Sequence, residues 1–522
     1  MTAVRVLPMG DRAVLVEVDG LGEVLALHKR LAASRPAGVV DLVPAARTVL
    51  VRVDGAALSV TAARAWIEGA AADWSTPRDA APTPDGTLEL GVRYDGPDLA
   101  DTAALLGLTP GQLIAQHAAA EWTVAFTGFA PGFGYLVSPG WTHEVPRLDT
   151  PRTRVPRGAV GLAAGFTGAY PRETPGGWRL IATTDARLFD PDAVAPASPV
   201  LLAPGTRVRF RPMPSGSRET ATGRREGAHP GPGGAGAIRI VEPGLLSTIQ
   251  DLGRPGRAAL GIAPSGALDR RALRAANRLV GNAEGAAGVE VTMGGFRAIA
   301  ERDAWFAVTG AWGPVLLDGL PVDPYEARAW PRGAELRIDG FVHGARAYLA
   351  LRGGADAALS AGSRSTDLLA GLGPAALRAG DLLAIGGGAV VPIPVAEVWP
   401  WEPPHDGELE IELARGARED WFTASAHDLL FAHRWTVSAH ADRVGLRLDG
   451  PELARVTARE LPSEGMVPGA LQVPPSGRPT ILLADGPVTG GYPVIAVVTD
   501  AALDDLAQLR PGSRIRFRHA RR

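Results

Sequence analysis

Two stretches of the chain repeat the same series of parts. Residues 155–185 run from a Val-Pro pair through the turn TPGG to the aliphatic run RLIATT, and APGTRVRFRP follows at 203–212. Residues 467–500 run from a Val-Pro pair through VTGG to PVIAVVT, and RPGSRIRFRH follows at 510–519. A duplicated β-unit explains this order and predicts related barrels in the two halves, packed around a shared cleft. The alternative is chance, because Gly-Gly turns and Pro-Gly starts recur in β-rich proteins.

Length and composition place the chain among globular proteins of several domains. Its 522 residues are too many for one core, so two to four domains are expected. Hydrophobic residues make up 46% and charged residues 21%, which is typical of a folded soluble protein. The net charge is −3 and arginine is scattered among acidic residues, so no nucleic-acid partner is expected. The N-terminus lacks a signal-peptide pattern and no apolar run would span a bilayer, so the expected location is cytoplasmic, without membrane contact.

One missing and one rare residue type exclude whole classes of chemistry. The chain has no cysteine, which excludes disulfides, thiolate nucleophiles and Cys-ligated zinc. Its single lysine, Lys29, lies in ALHKRLA on a predicted amphipathic helix and follows no glycine-rich loop, so no Walker A site is present. Any phosphate must therefore be held by arginine, backbone amides or a metal ion.

The hydrophobic pattern predicts a β-rich α+β protein. Strands alternate with helices over 21–33 and 56–71 in a small N-terminal α+β unit. Strands then dominate two larger segments, and one helix interrupts each: 108–122, with Thr109 as N-cap, and 267–282. The predicted division is an N-terminal domain at 1–85, a β-barrel at 86–213, a Gly/Pro-rich linker at 214–237 and a β-barrel domain at 238–522.

The stretch FTGFAPGFGYL at 126–136 mixes glycines with aromatics in a way that ordinary strands and helices avoid. One interpretation is a kinked core strand whose glycines form bulges. The other is the lip of a substrate pocket bordered by Phe129, Phe133 and Tyr135, because glycines let a ligand approach the backbone closely.

Two polar loops carry candidate binding residues. Arg172 and Glu173 stand in TGAYPRETPGGW, where they suit the positioning of a carboxylate or phosphate; the alternative is a solvated hairpin turn. The loop STIQDLGRPGRAALG brings Gln250, Asp251 and Arg254 before a helix whose N-terminus suits an anion, and Asp251 suits a base or metal ligand. Ordinary helix capping is the alternative for this loop, but it leaves the first three polar residues unexplained.

Three further positions are candidates for chemistry. In GSRST, Arg364 and Ser365 suit oxyanion or phosphate contacts, and the alternative is a strand-to-turn junction. Asp485 follows an apolar strand and precedes a glycine turn, a common place for site residues. His117 precedes the aromatic stretch and is a candidate general base, although a lone histidine is more often structural. No histidine pair has metal-ligand spacing, so no histidine-ligated metal site is predicted.

Taken together, these motifs resemble a known pair of protein subunits. The segment 87–213, with FTGFAPGFGYL and VPRGAVGLAAGFTGAYPRETPGGWRLI, resembles the family named allophanate hydrolase subunit 1. The second half, with STIQDLGRPG, SGALDRRALRAANRLVGN, GSRST and DGPVTGGYPVIAVVTD, resembles allophanate hydrolase subunit 2. The resemblance covers nearly the whole chain and implies that the two subunits are fused through the linker. It also implies cyclophilin-like β-barrels in both halves.

Members of this family are best known as the B and C components of bacterial ATP-dependent 5-oxoprolinase. The resemblance therefore implies an enzyme component that uses ATP and Mg²⁺ and acts with a separate A component to open 5-oxoproline to glutamate. It implies that Arg172, Arg254 and Arg364 neutralise phosphoryl charge. Two other branches supply alternatives, namely the carboxyltransferase part of urea carboxylase and a pair that inhibits a histidine kinase. Self-association into a homo-oligomer is left open.

The resemblance also extends the set of site residues. It implies that Asp251, Asp485 or Glu464 holds Mg²⁺ or polarises the lactam N–H, and it adds Thr489 and Tyr492 to the binding residues. It favours reading FTGFAPGFGYL as a bent strand whose glycines open one barrel wall beside the cleft.

Overall fold

The computed structural model describes residues 4–72, 86–150, 152–191, 193, 198–214, 237–388, 390–394, 404, 407–457 and 459–521. The linker predicted at 214–237 lies almost wholly outside these residues, as does the domain boundary predicted at 85. Within these ranges, no helix is long and apolar enough to cross a membrane.

The N-terminal unit is a four-stranded antiparallel sheet with two helices. Its elements are β1 (Arg5–Pro8), β2 (Ala13–Glu17), α1 (Leu21–Ala33), β3 (Val39–Pro44), β4 (Thr48–Val53) and α2 (Val60–Ala72), with strand order β1-β2-β4-β3. Buried Val24, Leu27 and Leu31 follow helical spacing along α1 and pack on the sheet. Both helices predicted for this unit are confirmed.

The next segment forms a first barrel. Its elements are β5 (Thr87–Val92), α3 (Leu99–Leu105), α4 (Pro110–Ala119), β6 (Trp122–Thr127), β7 (Gly134–Val137), β8 (Arg152–Val155), β9 (Ala159–Ala163), β10 (Phe166–Ala169), β11 (Thr174–Gly176), β12 (Arg179–Thr183) and β13 (Arg207–Pro212). The strand order is β12-β9-β10-β7-β6-β13-β5, and a bridge between Arg93 and Thr183 joins the two ends. The predicted N-cap Thr109 accepts from Gln112 N–H at 3.2 Å. The short helix α3 was not predicted.

The middle segment builds two packed sheets and one buried helix. Its elements are β14 (Ile238–Pro243), β15 (Leu246–Gln250), α5 (Arg270–Leu279), β16 (Gly288–Thr292), β17 (Phe296–Ala300), β18 (Ala304–Trp312), β19 (Val315–Leu317), β20 (Leu320–Pro321), β21 (Arg328–Trp330), β22 (Glu335–Ile338), β23 (His343–Leu351), β24 (Ala355–Asp356) and β25 (Leu382–Ile385). The sheet orders are β20-β19-β22-β17-β14-β25-β24 and β15-β16-β23-β18-β21. Asp269 caps α5 by accepting from Ala272 N–H at 2.9 Å.

The C-terminal segment is a closed barrel. Its elements are β26 (Glu408–Arg415), α6 (Ala424–Ala432), β27 (Arg434–Val437), β28 (Gly445–Asp449), β29 (Glu464–Gly465), β30 (Ala470–Gln472), β31 (Thr480–Leu482), β32 (Thr489–Gly490), β33 (Val494–Val498), α7 (Asp500–Leu506) and β34 (Arg514–His519). The strand order around the barrel is β26-β33-β30-β31-β28-β27-β34.

The two barrels share one topology, strand for strand. In each, the first strand pairs in parallel with the last, β5 with β13 and β26 with β34. Each has a two-stranded ribbon at its side, β8 with β11 and β29 with β32. Trp122 and Trp435 each donate an indole N–H to the carbonyl five residues earlier, on His117 and Leu430. The repeated sequence parts thus build the same strands in both halves, which confirms the duplication and the β-rich α+β prediction.

The stretch FTGFAPGFGYL is two strands joined by a turn, so the prediction of one bent strand is wrong. The chain reverses between Thr127 and Gly134, and Gly128 N–H donates to the Phe133 carbonyl at 3.1 Å. Phe129 has φ of +66°, which this reversal requires. A side chain at position 128 would meet Thr489 of the second barrel, whose Oγ1 would lie 2.1 Å from its Cβ.

A loop of the middle segment ties the units together. It contains the 3-10 turn Ala258–Leu260, where the Ala259 carbonyl accepts from Thr127 Oγ1 at 2.5 Å. Ala258 N–H donates to Asp41 of the N-terminal sheet at 3.1 Å. Further along, Ser265 N–H donates to the Ala484 carbonyl of the second barrel at 2.9 Å. The same loop carries Asp251 and Arg254, so these residues lie at the junction of the units.

Candidate functional site

Asp251 joins two loops of the middle segment. Its carboxylate accepts from Gly253 N–H at 2.7 Å, from Arg364 N–H at 2.7 Å, and from the hydroxyls of Ser363 and Ser365 at 2.6 Å each. Asp251 N–H in turn donates to Ser365 Oγ at 3.0 Å. These bonds hold the GSRST loop against the QDLGR loop and use the carboxylate as an anchor.

Arg254 is buried between the two loops that Asp251 joins. Its Nε donates to the Ser360 carbonyl at 3.3 Å and its Nη2 to the Ser365 carbonyl at 2.5 Å. Its Nη1 is buried and has no hydrogen-bond partner among the described residues. Burial lowers the pKa of Arg254, partly offset by Asp367 and Asp251.

The negative charge of Asp367, a residue that no sequence motif points to, acts on this guanidinium. Its Oδ1 accepts from Ala370 N–H at 2.8 Å, whereas its buried Oδ2 has no partner in the part of the chain that the structure describes. Burial raises the pKa of Asp367 to about 6, and the nearby charge of Asp485 contributes to this rise. The sequence feature that could have identified Asp367 is its position directly after the GSRST motif.

Arg172, which belongs to the first barrel, lies near Asp367. Its half-buried side chain lies beside Gly371, with Nη1 3.6 Å from the position of a Cβ at that residue. Within the described ranges, this Nη1 has no hydrogen-bond partner. Burial lowers the pKa of Arg172, and Asp367 opposes that shift. Its neighbour Glu173 instead pairs with Arg154 on the exposed ribbon at 2.6 Å.

Two further buried groups complete what we call the open cluster. Gln250 donates through Nε2 to Thr248 Oγ1 at 3.0 Å and to the Thr366 carbonyl at 2.9 Å. Its Oε1 and the hydroxyl of Thr366 are buried and unpaired among the residues described. Arg364 approaches Asp356 at 3.5 Å and stays outside this group. The open cluster consists of Arg172, Gln250, Arg254, Thr366 and Asp367.

A second buried group of charges, the paired cluster, lies beside it and consists of Glu290, Arg443 and Asp485. Arg443 donates to Asp485 at 2.8 Å, to Glu290 at 2.6 Å and to the Gly266 carbonyl at 2.7 Å. Ser265, held at φ of +53°, donates to Asp485 Oδ1 at 2.7 Å. Burial opposes the charge of Arg443, but the two carboxylates raise its pKa above the ordinary value. Asp485 therefore joins the second barrel to the middle segment.

The remaining predicted binding residues form no contact with the open cluster among the described residues. Glu464 pairs with Arg418, which also pairs with Glu17 of the N-terminal unit. Thr489 Oγ1 accepts from Phe129 N–H at 3.0 Å, which joins the two barrels. Tyr492 is 47% exposed.

The aromatic residues of the FTGFAPGFGYL motif divide into core and surface. Phe133 and Tyr135 are buried among Tyr170 and Trp178 in a hydrophobic core cluster, with ring centroids 4.9 to 5.4 Å apart. Burial raises the pKa of Tyr135 to about 12. Phe129 is 41% exposed, so it is the one of the three predicted residues that borders solvent.

His117 is a core residue, which argues against the general-base hypothesis. It is fully buried and bonded on both ring nitrogens, to Tyr94 Oη at 2.8 Å and to Thr167 Oγ1 at 2.9 Å. Burial lowers its pKa to about 3, so the ring is neutral. A general base must reach its substrate, and this ring occupies the place of Leu430 in the other barrel.

The carboxylates proposed for Mg²⁺ do not fit a metal site. Asp251, Asp485 and Glu464 are each engaged by hydrogen bonds or arginine, and they lie in three different networks. Across the described ranges, no group of three or more His, Asp or Glu side chains is placed to hold a metal ion.

Two family models match the chain. Carboxyltransferase domain, subdomain C and D, matches residues 4–200, and carboxyltransferase domain, subdomain A and B, matches residues 260–519. Over 287 residues, 54% of this chain, it is 38% identical to the C subunit of 5-oxoprolinase of Escherichia coli (strain K12) and covers 90% of that protein. The chain belongs to the carboxyltransferase domain family. Over 132 residues, 25% of the chain, it is 46% identical to the B subunit of 5-oxoprolinase of Escherichia coli O157:H7 and covers 59% of that protein.

These relatives support the fusion of B-like and C-like parts that the motifs predict. The crystal structure of TTHA0988 has the same fold over 99% of this chain and 100% of its own, with a TM-score of 0.82 and 35% identity. This likeness and the two barrels confirm the cyclophilin-like fold class. The urea amidolyase of Saccharomyces cerevisiae (strain ATCC 204508 / S288c) is 31% identical over 305 residues, which are 54% of this chain and 16% of that protein.

Proposed function

We propose that this member of the carboxyltransferase domain family is the fused B and C component of an ATP-dependent 5-oxoprolinase, acting with a separate A component. One observation carries the proposal: the open cluster combines Arg172 of the B-like half with four residues of the C-like half. Relatives named as the C and B subunits of 5-oxoprolinase match this chain. A site completed by both halves gives a physical reason for keeping them in one chain.

The proposed role of this chain is to bind and orient the lactam. Hydrolysis of an unstrained amide requires activation, which in the assembled enzyme would come from ATP and Mg²⁺. Because the carboxylates of the described residues do not form a metal site, we assign to this chain the fixing of the lactam. Guanidinium and carboxylate groups in a buried setting orient a dipolar substrate strongly, since the local dielectric is low.

The test combines the purified chain with a candidate A component, L-5-oxoproline and Mg-ATP, and measures glutamate and ADP. The proposal requires glutamate formation well above that of either protein alone. A matched reaction without ATP controls for uncoupled hydrolysis. Glutamate at the level of the separate proteins would overturn the proposal.

A second candidate function is carboxyl transfer to urea or a related amide. It is favoured by the matches to urea amidolyases and by the names of both family models. This reaction needs a biotin carboxylase and a biotin carrier on other chains. Bicarbonate- and urea-dependent ADP formation in their presence, without any glutamate from 5-oxoproline, would select this candidate.

A further inference from the structure

The open cluster contains both donors and acceptors that lack partners among the described residues. The donors are Nη1 of Arg254 and Nη1 of Arg172, and the acceptors are Oε1 of Gln250 and Oδ2 of Asp367. The hydroxyl of Thr366 can act as either. Apart from Arg172, the members of the cluster are each at least 98% buried. Buried polar atoms are nearly always paired in folded proteins, so several unpaired ones together indicate a missing partner.

The opposite charges in this cluster do not pair with each other. Asp367 attracts both arginines, yet among the described residues no ion pair of 4.0 Å or less joins it to Arg172 or Arg254. The other atoms of these groups are already bonded, Arg254 to two carbonyls and Asp367 to Ala370 N–H. The carboxylate of Asp367 is therefore more than 4.0 Å from either guanidinium, and a group that bridges them would have to accept from an arginine and donate to a carboxylate.

The mixture of charges restricts the bridging molecule. A phosphate or sulfate would meet the acceptors on Asp367 and Gln250, and a simple cation would meet two guanidiniums. An amide suits both sides, because its carbonyl oxygen accepts and its N–H donates. One ordered water makes about three hydrogen bonds, fewer than the unpaired atoms present.

Arg172 lies at the outer side of the cluster. It is half-buried, and the adjoining loop exposes Leu368 and Leu369 by 49% and 50%. A guanidinium at the entrance suits a carboxylate that the ligand keeps nearer to solvent.

We infer that the open cluster binds a small secondary amide that carries a carboxylate. The lactam carbonyl accepts from Arg254, the lactam N–H donates to Asp367 or Gln250, and the carboxylate pairs with Arg172. This inference rests on the proposed function for its choice of 5-oxoproline, and it assigns that substrate to residues of both halves. Thr366 supplies a fourth polar contact through its hydroxyl.

The test measures ligand binding to the full chain by itself, without ATP or the A component, by isothermal titration calorimetry. The probes are L-5-oxoproline, 2-pyrrolidinone, which lacks the carboxylate, and L-proline, which lacks the lactam carbonyl. We expect L-5-oxoproline to bind roughly ten to one hundred times more tightly than 2-pyrrolidinone, because one charge-assisted pair is lost. L-Proline should bind much more weakly than L-5-oxoproline, because it lacks the carbonyl oxygen that accepts from Arg254 and leaves that buried guanidinium unpaired.

Two pairs of variants separate ligand contact from general damage. Thr366→Val should weaken L-5-oxoproline binding roughly threefold to tenfold. Thr48→Val, which removes an equally buried hydroxyl of the N-terminal sheet that also lacks a described partner, should leave it unchanged. Arg172→Gln should reduce L-5-oxoproline binding to the level of 2-pyrrolidinone without affecting 2-pyrrolidinone itself. Arg154→Gln, on the neighbouring exposed ribbon, should leave the binding of both ligands unchanged.

The outcomes distinguish this site from the proposed function. Absence of L-5-oxoproline binding, or equal effects within each pair of variants, overturns the site. Glutamate formation with the A component that Thr366→Val and Arg172→Gln leave unaltered also overturns the site, while it supports the function. Binding that follows the predicted order without glutamate formation supports the site and overturns the function.

Discussion

The paired and the open cluster lie side by side at the junction of the two halves and are built in opposite ways. In the paired cluster, every nitrogen of Arg443 that can donate has an acceptor, and Asp485 and Glu290 are bonded in return. In the open cluster, Arg254 and Asp367 each keep a buried atom without a partner among the described residues. The fold therefore satisfies one set of buried charges by itself and leaves the other incomplete. The first stabilises the junction, and the second is available to a ligand.

The largest expected effect comes from breaking the paired cluster. Arg443→Met leaves Asp485 as a buried carboxylate without an ion-pair partner among the described residues, and it leaves Glu290 with the longer contact to Arg346 at 3.7 Å. Removing one partner of a buried pair costs about 3–5 kcal/mol. We expect a marked fall in melting temperature, measured by differential scanning calorimetry at pH 7.5.

The matched variant in the open cluster is Arg254→Met. This variant removes two hydrogen bonds to carbonyls, but it also removes a buried guanidinium that lacks a full set of described partners. The melting temperature of Arg254→Met should therefore fall by less than that of Arg443→Met. If Arg254→Met is as destabilising as Arg443→Met, the two clusters have the same structural role and the contrast between them is lost.

The second prediction concerns the charge of Asp367. Its folded pKa of about 6 lies above the ordinary value of 3.8, so ionisation in the folded state costs free energy. This carboxyl's contribution to stability is complete below about pH 3.8 and is lost as the pH rises through 6. Asp367→Asn cannot ionise, and should therefore gain up to about 3 kcal/mol relative to the parent at pH 7.5 and little at pH 4.

Thermal melts of Asp367→Asn and the parent at both pH values measure this difference. Asp485→Asn, in the paired cluster, is the control and should lose stability at pH 7.5, because it weakens the pairing with Arg443. A loss of stability by Asp367→Asn at pH 7.5 would show that Asp367 is already paired in solution.

Much of the fold could be predicted from sequence because local and repeated patterns fix it. The helical spacing of Val24, Leu27 and Leu31 gives α1, and Thr109 before Pro110 gives the start of α4. The repeated Val-Pro, Gly-Gly and Pro-Gly parts build the same strands in the two barrels. The turn in FTGFAPGFGYL was missed because it depends on contacts from outside, namely Thr489 of the second barrel and the Leu260 carbonyl.

The candidate site was predictable only in part. Gln250, Asp251 and Arg254 were found because polar residues in a Gly/Pro-rich loop are conspicuous. Asp367 could not be found in this way. Its importance depends on a carboxylate oxygen that lacks a hydrogen-bond partner, and the residues that pack around a side chain are mostly distant in sequence. Asp485 is a candidate site residue on sequence grounds, but its pairing with Arg443, which is 42 residues away, could not be predicted.

The third prediction tests whether His117, like the paired cluster, is a buried group whose hydrogen bonds are all made within the fold. Its folded pKa of about 3 lies below the ordinary 6.5, so the unfolded chain binds a proton that the folded one excludes. The contribution of His117 to the free energy of unfolding is complete above pH 6.5. It falls as the pH falls, by about 2 kcal/mol at pH 5. His117→Leu, which copies Leu430, should lose stability at pH 7.5 but show a smaller further loss at pH 5.

The readout is the difference in melting temperature between pH 7.5 and pH 5 for His117→Leu and for the parent. Glutamate formation with the A component should persist in the variant wherever it is folded, because this histidine does not contact the open cluster. An equal acid sensitivity of variant and parent would show that His117 titrates normally and is not enclosed.

The smallest effect is expected on the exposed ribbon beside Arg172. Glu173→Ala breaks an ion pair with Arg154 in which both side chains are well exposed, at 48% and 74%, so stability should change by less than about 1 kcal/mol. Binding of L-5-oxoproline should also stay within about twofold, since the Glu173 carboxylate is engaged by Arg154 on the ribbon. Calorimetric titration of Glu173→Ala beside Arg172→Gln checks this. A comparable loss in both variants would mean that the ribbon acts as a whole and that Arg172 has no separate contact with the ligand.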